Sequence, residues 1–162
     1  MGPLKKADVN APPAEYRGRT ALEAASEGGH LAVVERLLDR GAEVNLATAE
    51  YLGRTVLRAA SEGGHLGIVE RLLENGANVN AGPKHDGRTA LQAASEGGHL
   101  EVVERLLEKG AEVNAAAAFY GRTALQAASE GGHLAVVERL LEKKARVPNS
   151  PSDPIVLSAT SA

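Results

Sequence analysis

The chain has 162 residues, is 43% hydrophobic but only 2% aromatic, and contains 18 Gly, 7 Pro and no Cys. That length supports one domain with a core built of Leu, Val and Ala, and the lack of Cys excludes a disulfide framework, thiolate metal sites and Cys nucleophiles. A formal net charge of −3 with a pI near 6.0 gives no electrostatic case for nucleic acid or an anionic membrane as partner, and no apolar run reaches the ~18 residues of a membrane span.

In chain order, the opening MGPLKK leads into Ala7-Asp8-Val9-Asn10, which reads as the connector of a unit whose helices are absent. A long motif then starts at Gly18 and returns at Gly53, Gly87 and Gly121, with periods of 35, 34 and 34 residues. Self-similarity at such a period marks a stacked-repeat architecture. The distance from opening to closing glycine is constant (Gly18 to Gly41, Gly53 to Gly76, Gly87 to Gly110), so length varies only in the connectors. The residues divide into a partial N-terminal connector (1–17), repeats at 18–52, 53–86, 87–120 and 121–147, and a C-terminal tail (148–162).

Each unit predicts two short helices. Thr20, Thr55, Thr89 and Thr123 occupy N-cap positions, and Glu23, Gln92 and Gln126 three residues on complete capping boxes that Arg58 breaks in the second unit. Gly28-Gly29 and its counterparts supply a left-handed stop and reversal. The second helix carries Leu31, Val34, Leu37 and Leu38 at helical spacing. A helix pair this small cannot bury its apolar face alone, so neighbouring units must stack.

The recurring Gly-Arg-Thr-Ala-Leu, Ala-Ala-Ser-Glu-Gly-Gly-His-Leu, Val-Val-Glu-Arg-Leu-Leu-Glu and Gly-Ala-Glu-Val-Asn-Ala together resemble the ankyrin repeat. The resemblance implies an all-α solenoid of stacked helix–turn–helix units with projecting β-hairpin-like fingers. Two departures stand out. The family's Thr-Pro-Leu-His is here Thr-Ala-Leu or Thr-Val-Leu followed by Gln, Glu or Arg. The units also exceed the usual ~33 residues, which predicts slightly longer or bulged fingers.

His30, His65, His99 and His133 recur as a ladder, but helix layers ~8–10 Å apart cannot bring them within ~2 Å of one ion. Each imidazole is expected to tie its own loop to backbone groups. Ser26, Ser61, Ser95 and Ser129 read as helix-face packing without a triad partner. No nucleotide, zinc or calcium motif occurs, so neither enzymatic activity nor a cofactor or metal is expected.

Two charge ladders and a row of rings are the candidate partner-binding residues. Arg19, Arg54, Arg88 and Arg122 open the units, while Glu27, Glu62, Glu96 and Glu130 end the first helices, on the side that the resemblance makes the concave, partner-facing surface. Either these charges pair between units and keep the surface soluble, or they form a platform for a charged or repetitive ligand. The second helices' Glu-Arg pairs, such as Glu70-Arg71, read as a solvated face. The connectors vary while the helices hardly do, and Tyr16, Tyr51, His85, Phe119 and Tyr120 run along the expected finger tips. They are interface anchors, stiffeners of adjacent fingers, or both.

Neither end looks like a polar cap, and Lys144 replaces the closing glycine. In the tail, Ile155, Val156 and Leu157 either fold back over the last helix, dock on a neighbouring molecule or stay disordered. Near-identical repeats imply recent duplication or consensus-style design, and the varied connectors argue against design. The resemblance implies a non-enzymatic protein–protein interaction module within a larger multidomain protein, intracellular and cytoplasmic, binding a protein partner through finger tips and first-helix faces. The alternative is a structural or self-associating array that stacks through its apolar end faces or through the tail Ile155–Leu157.

Overall fold

A threonine opens every helix pair. Its hydroxyl accepts the N–H three residues on, at Glu23 and Arg58 (3.1 Å each) and at Gln92 and Gln126 (3.2 Å each). In the last two units the glutamine side chain returns the bond to the cap N–H, completing the box. The computed structural model describes residues 6–12, 19–46, 54–82, 88–115 and 121–145. Among them eight α-helices and no strand are found: α1 (Ala21–Glu27), α2 (Leu31–Asp39), α3 (Val56–Glu62), α4 (Leu66–Glu74), α5 (Ala90–Glu96), α6 (Leu100–Glu108), α7 (Ala124–Glu130) and α8 (Leu134–Glu142). The tips of the connectors, where hairpin-like fingers are expected, lie outside the described residues.

Both helices of a unit end in the same way. In the Gly-Gly pair the first glycine is right-handed (Gly28 φ −75°) and only the second is left-handed (Gly29 φ +75°), so the reversal needs one special backbone position rather than two. The N–H of His30 then bonds Ala25 O at 3.0 Å and that of Gly29 bonds Ser26 O at 3.4 Å, a Schellman closure. The closing glycine repeats the device on the second helix, with Gly110 N–H to Leu107 O at 3.1 Å and Ala111 N–H to Leu106 O at 2.9 Å. Lys144 makes the same closure at φ 66°, in a left-handed conformation. For a residue with a Cβ this costs ~1–2 kcal/mol.

The first helices α1, α3, α5 and α7 pack in one row and the second helices in another, with each pair joined across the layers. Alanine makes the first row possible: Ala60, Ala94 and Ala128 are fully buried between helices, and their small side chains allow close approach. Leu22, Leu57, Leu91 and Leu125 with Val34, Val69 and Val103 fill the space between the rows. The buried Ser61 hydroxyl and the exposed Ser129 hydroxyl each donate to the carbonyl four residues back at 2.7 Å, while Ser26 and Ser95 are buried in the packed helix face.

Candidate functional site

On the first helices, residues four apart share a face. Each repeat carries a series of three at four-residue spacing, an arginine just ahead of the threonine cap and then two helical positions, of which Glu23 and Gln92 are buried: Arg19, Glu23 and Glu27; Arg54, Arg58 and Glu62; Arg88, Gln92 and Glu96; Arg122, Gln126 and Glu130. In every series the arginine reaches the glutamate eight residues on. Arg54 does so at 2.5 Å, and Arg19 with Glu27, Arg88 with Glu96 and Arg122 with Glu130 are likewise paired. Two arginines also reach back to the preceding repeat, Arg54 to Glu27 at 2.8 Å and Arg122 to Glu96 at 3.3 Å. The two ladders thus come together as two networks, Arg19–Glu27–Arg54–Glu62 and Arg88–Glu96–Arg122–Glu130.

These pairs lie at a surface. The side chains of Glu62 and Glu130 remain 48% and 57% exposed, so each pair contributes only ~0–1 kcal/mol to stability. The carboxylates stay accessible to a partner while their positions are held. Tyr16, Tyr51, His85, Phe119 and Tyr120 lie outside the described residues, as do Ile155, Val156 and Leu157.

The histidine ladder corrects the sequence expectation. His65 Nε2 donates to Glu27 O at 3.1 Å, His99 to Glu62 O at 3.0 Å and His133 to Glu96 O at 2.9 Å. Each ring thus holds the preceding repeat rather than its own loop. Since a carbonyl only accepts, these bonds place a proton on Nε2. The rings fill the space that glycine leaves: a Cβ on Gly29 would meet His65 Cε1 at 2.6 Å, and one on Gly28 would meet His30 Cδ2 at 2.7 Å. Among the described residues no group of three or more His, Asp or Glu could hold a metal ion.

A second inter-repeat device escaped sequence reasoning. Asn45 donates to Gly76 O at 2.9 Å and accepts from Asn78 N–H at 2.9 Å. Asn80 does the same with Gly110 O at 3.0 Å and Glu112 N–H at 2.8 Å. Asn10 likewise bonds Gly41 O at 3.0 Å and Glu43 N–H at 2.9 Å, which seats residues 7–10 as a connector against the first repeat. The available signal was the invariant Val-Asn at Val9, Val44, Val79 and Val113.

The outward Glu-Arg pairs also do more than meet solvent. Arg71 reaches Glu35 at 2.6 Å, Arg105 reaches Glu70 at 2.6 Å and Arg139 reaches Glu104 at 2.7 Å, each in the preceding repeat. Hydrogen bonding to Glu35 and to Glu104 holds the Arg71 and Arg139 guanidinium groups above the ordinary arginine value. Polar links thus cross the repeat boundaries in both directions: the histidines and outer arginines reach back to the preceding repeat, and the connector asparagines reach forward to the next.

No helix among the described residues is long and apolar enough to cross a membrane. A search of curated proteins found no match to the chain. Family models for ankyrin repeats match residues 44–117 and 82–151, and a single ankyrin repeat model matches residues 17–49. Those matches span most of the chain, and the stacked helix pairs follow the same period: the chain belongs to the ankyrin repeat family.

Proposed function

We propose that this array is a non-enzymatic protein-binding module of a larger, intracellular, cytoplasmic protein, and that the partner lies across the first-helix face and the connector tips. Ankyrin repeats are in general protein–protein interaction modules. The observation that carries the reading is a constant frame around a variable centre. Arginine and glutamate rows are held in register in all four repeats, while the residue between them is Glu23, Arg58, Gln92 or Gln126. Glu23 and Gln92 are buried there, and Arg58 and Gln126 are half-buried and reach the surface that a partner would meet. The anchors are Tyr16, Tyr51, His85, Phe119 and Tyr120, with Arg19, Arg54, Arg88 and Arg122 and the paired Glu27, Glu62, Glu96 and Glu130 as polar guides. Affinity capture from source-cell lysate tests this. A partner retained by the native chain is expected to be lost from the Tyr51→Ala, Phe119→Ala double variant, and undiminished capture refutes the finger anchors.

One observation favours self-association as a second reading. Val33 is 50% exposed on the outer face of the first repeat, and Leu134 and Leu141 are 67% and 46% exposed on that of the fourth. Light scattering decides it: a mass that rises with concentration supports stacking, and a constant monomer mass rejects it.

A further inference from the structure

The centre row of the first-helix face contains one residue that the repeat does not accommodate. Where that residue is glutamine, its side-chain oxygen is used internally. Gln92 Oε1 accepts from Thr89 N–H at 2.8 Å and its Nε2 donates to Ala115 O at 3.4 Å, and Gln126 Oε1 accepts from Thr123 N–H at 2.9 Å. Arg58 has no acceptor atom and cannot take this role. The carboxylates beside it are engaged elsewhere: Glu62 by Arg54 at 2.5 Å, and Glu96 by Arg88 and by Arg122.

Arg58 is half-buried, and its Nε is shielded from water without a hydrogen-bond partner. Arg54 Nε is also unpartnered, but both of that residue's terminal nitrogens are paired. Burial pushes the Arg58 guanidinium below its ordinary value; Glu62 opposes this, and Arg54 and Arg88 add to it. Among the described residues Arg58 makes no salt bridge, and Glu62 and Glu96 act on it only from a distance.

We propose that Arg58 is the docking point for a single carboxylate, an Asp or Glu side chain of the protein partner, at the boundary between the second and third repeats. The proposal rests on the reading of the first-helix face as the partner surface. Beside Arg58 lie Arg54, Arg88, Glu62 and Glu96, and both glutamates are already paired to other arginines. A carboxylate matches the planar guanidinium fork. A phosphate, at about −1.5 to −2, would press harder against the charges of Glu62 and Glu96. The consequence is register. A partner on four near-identical repeats could slip by one repeat at little cost, and a single unmatched cation removes that degeneracy.

The test uses the full chain and two capped pentapeptides, Ala-Ala-Asp-Ala-Ala and its phosphoserine counterpart, followed through the arginine Nε–H signals by NMR. The Arg58 signal is identified by its loss in Arg58→Gln, a change that restores the repeat's own residue and so keeps the fold. The aspartyl peptide is expected to shift the Arg58 signal saturably while leaving Arg19 unmoved. Its affinity should fall about tenfold or more in Arg58→Gln and less in Arg58→Lys. Moving the cation in the Arg58→Gln, Gln92→Arg double variant should move the response to position 92. Equal shifts at Arg19 and Arg58, no shift at Arg58, or tighter binding of the phosphoserine peptide each overturn the proposal. A captured partner that needs Tyr51 and Phe119 but is indifferent to Arg58→Gln also overturns it, and leaves the protein-binding reading standing.

Discussion

The boundary between interior repeats and the outer faces of the end repeats use the same residue types with opposite results. Val102 is 1% exposed against the second repeat, whereas its counterpart Val33 is 50% exposed on the first. Gly98 and Gly132 share φ +70°, but a Cβ on Gly98 would meet His133 Cε1 at 2.7 Å and one on Gly132 would meet nothing within 4 Å. The difference is only whether another repeat follows or precedes. A residue's energetic worth in this chain is thus set by its neighbour, as expected where stability sums over nearest-neighbour interfaces.

Paired substitutions break or sharpen that contrast. The largest effect is expected from Gly98→Ala, which combines left-handed strain of ~1–2 kcal/mol with loss of the His133 bond, about 3 kcal/mol in all. Gly132→Ala keeps only the strain, so urea denaturation should separate the two by ~1–2 kcal/mol. Equal losses would mean that the histidine seat carries no stability. Next, Val102→Ala should cost ~2–3 kcal/mol and Val33→Ala below ~1 kcal/mol. A Val33→Ala loss as large as that of Val102→Ala would show that the end face is covered in solution. The smallest effect is a gain. Lys144→Gly relieves the left-handed closure and should stabilise the chain by ~1 kcal/mol, read as a raised denaturation midpoint. No gain there would place the strain elsewhere.

Much of this was legible before the fold was known because the repeat reports itself. Thr20, Thr55, Thr89 and Thr123 as caps, the short helices, and Lys144 in a left-handed position follow from local backbone chemistry that each unit carries within itself. The charge rows were visible because each recurs at one place in the unit, the glutamates at the last helical position and the arginines just ahead of the caps. The histidines were misassigned for a physical reason. A ring's place in its own loop is encoded locally, but Nε2 meets Glu27 O, Glu62 O or Glu96 O only through the offset between stacked units. Asparagine was passed over because Val-Asn in a connector reads as an ordinary turn. Its reach to Gly76 O or Gly110 O crosses a repeat boundary that periodicity counts but does not measure.

The aromatic poverty of the composition, 2%, already required a core of Leu, Val and Ala, and the period of 34–35 residues already required stacking. Composition and periodicity decide these things because they concern what every unit must do alike: cap its helices, turn, and hide one apolar face. The tertiary structure decided what is done between units. It determined which arginine holds which glutamate, which carbonyl each histidine takes, and that Arg58 is left without a salt bridge of its own among the described residues. Those outcomes depend on distances across the stack, and a pairing that spans two repeats exists only once both are in place.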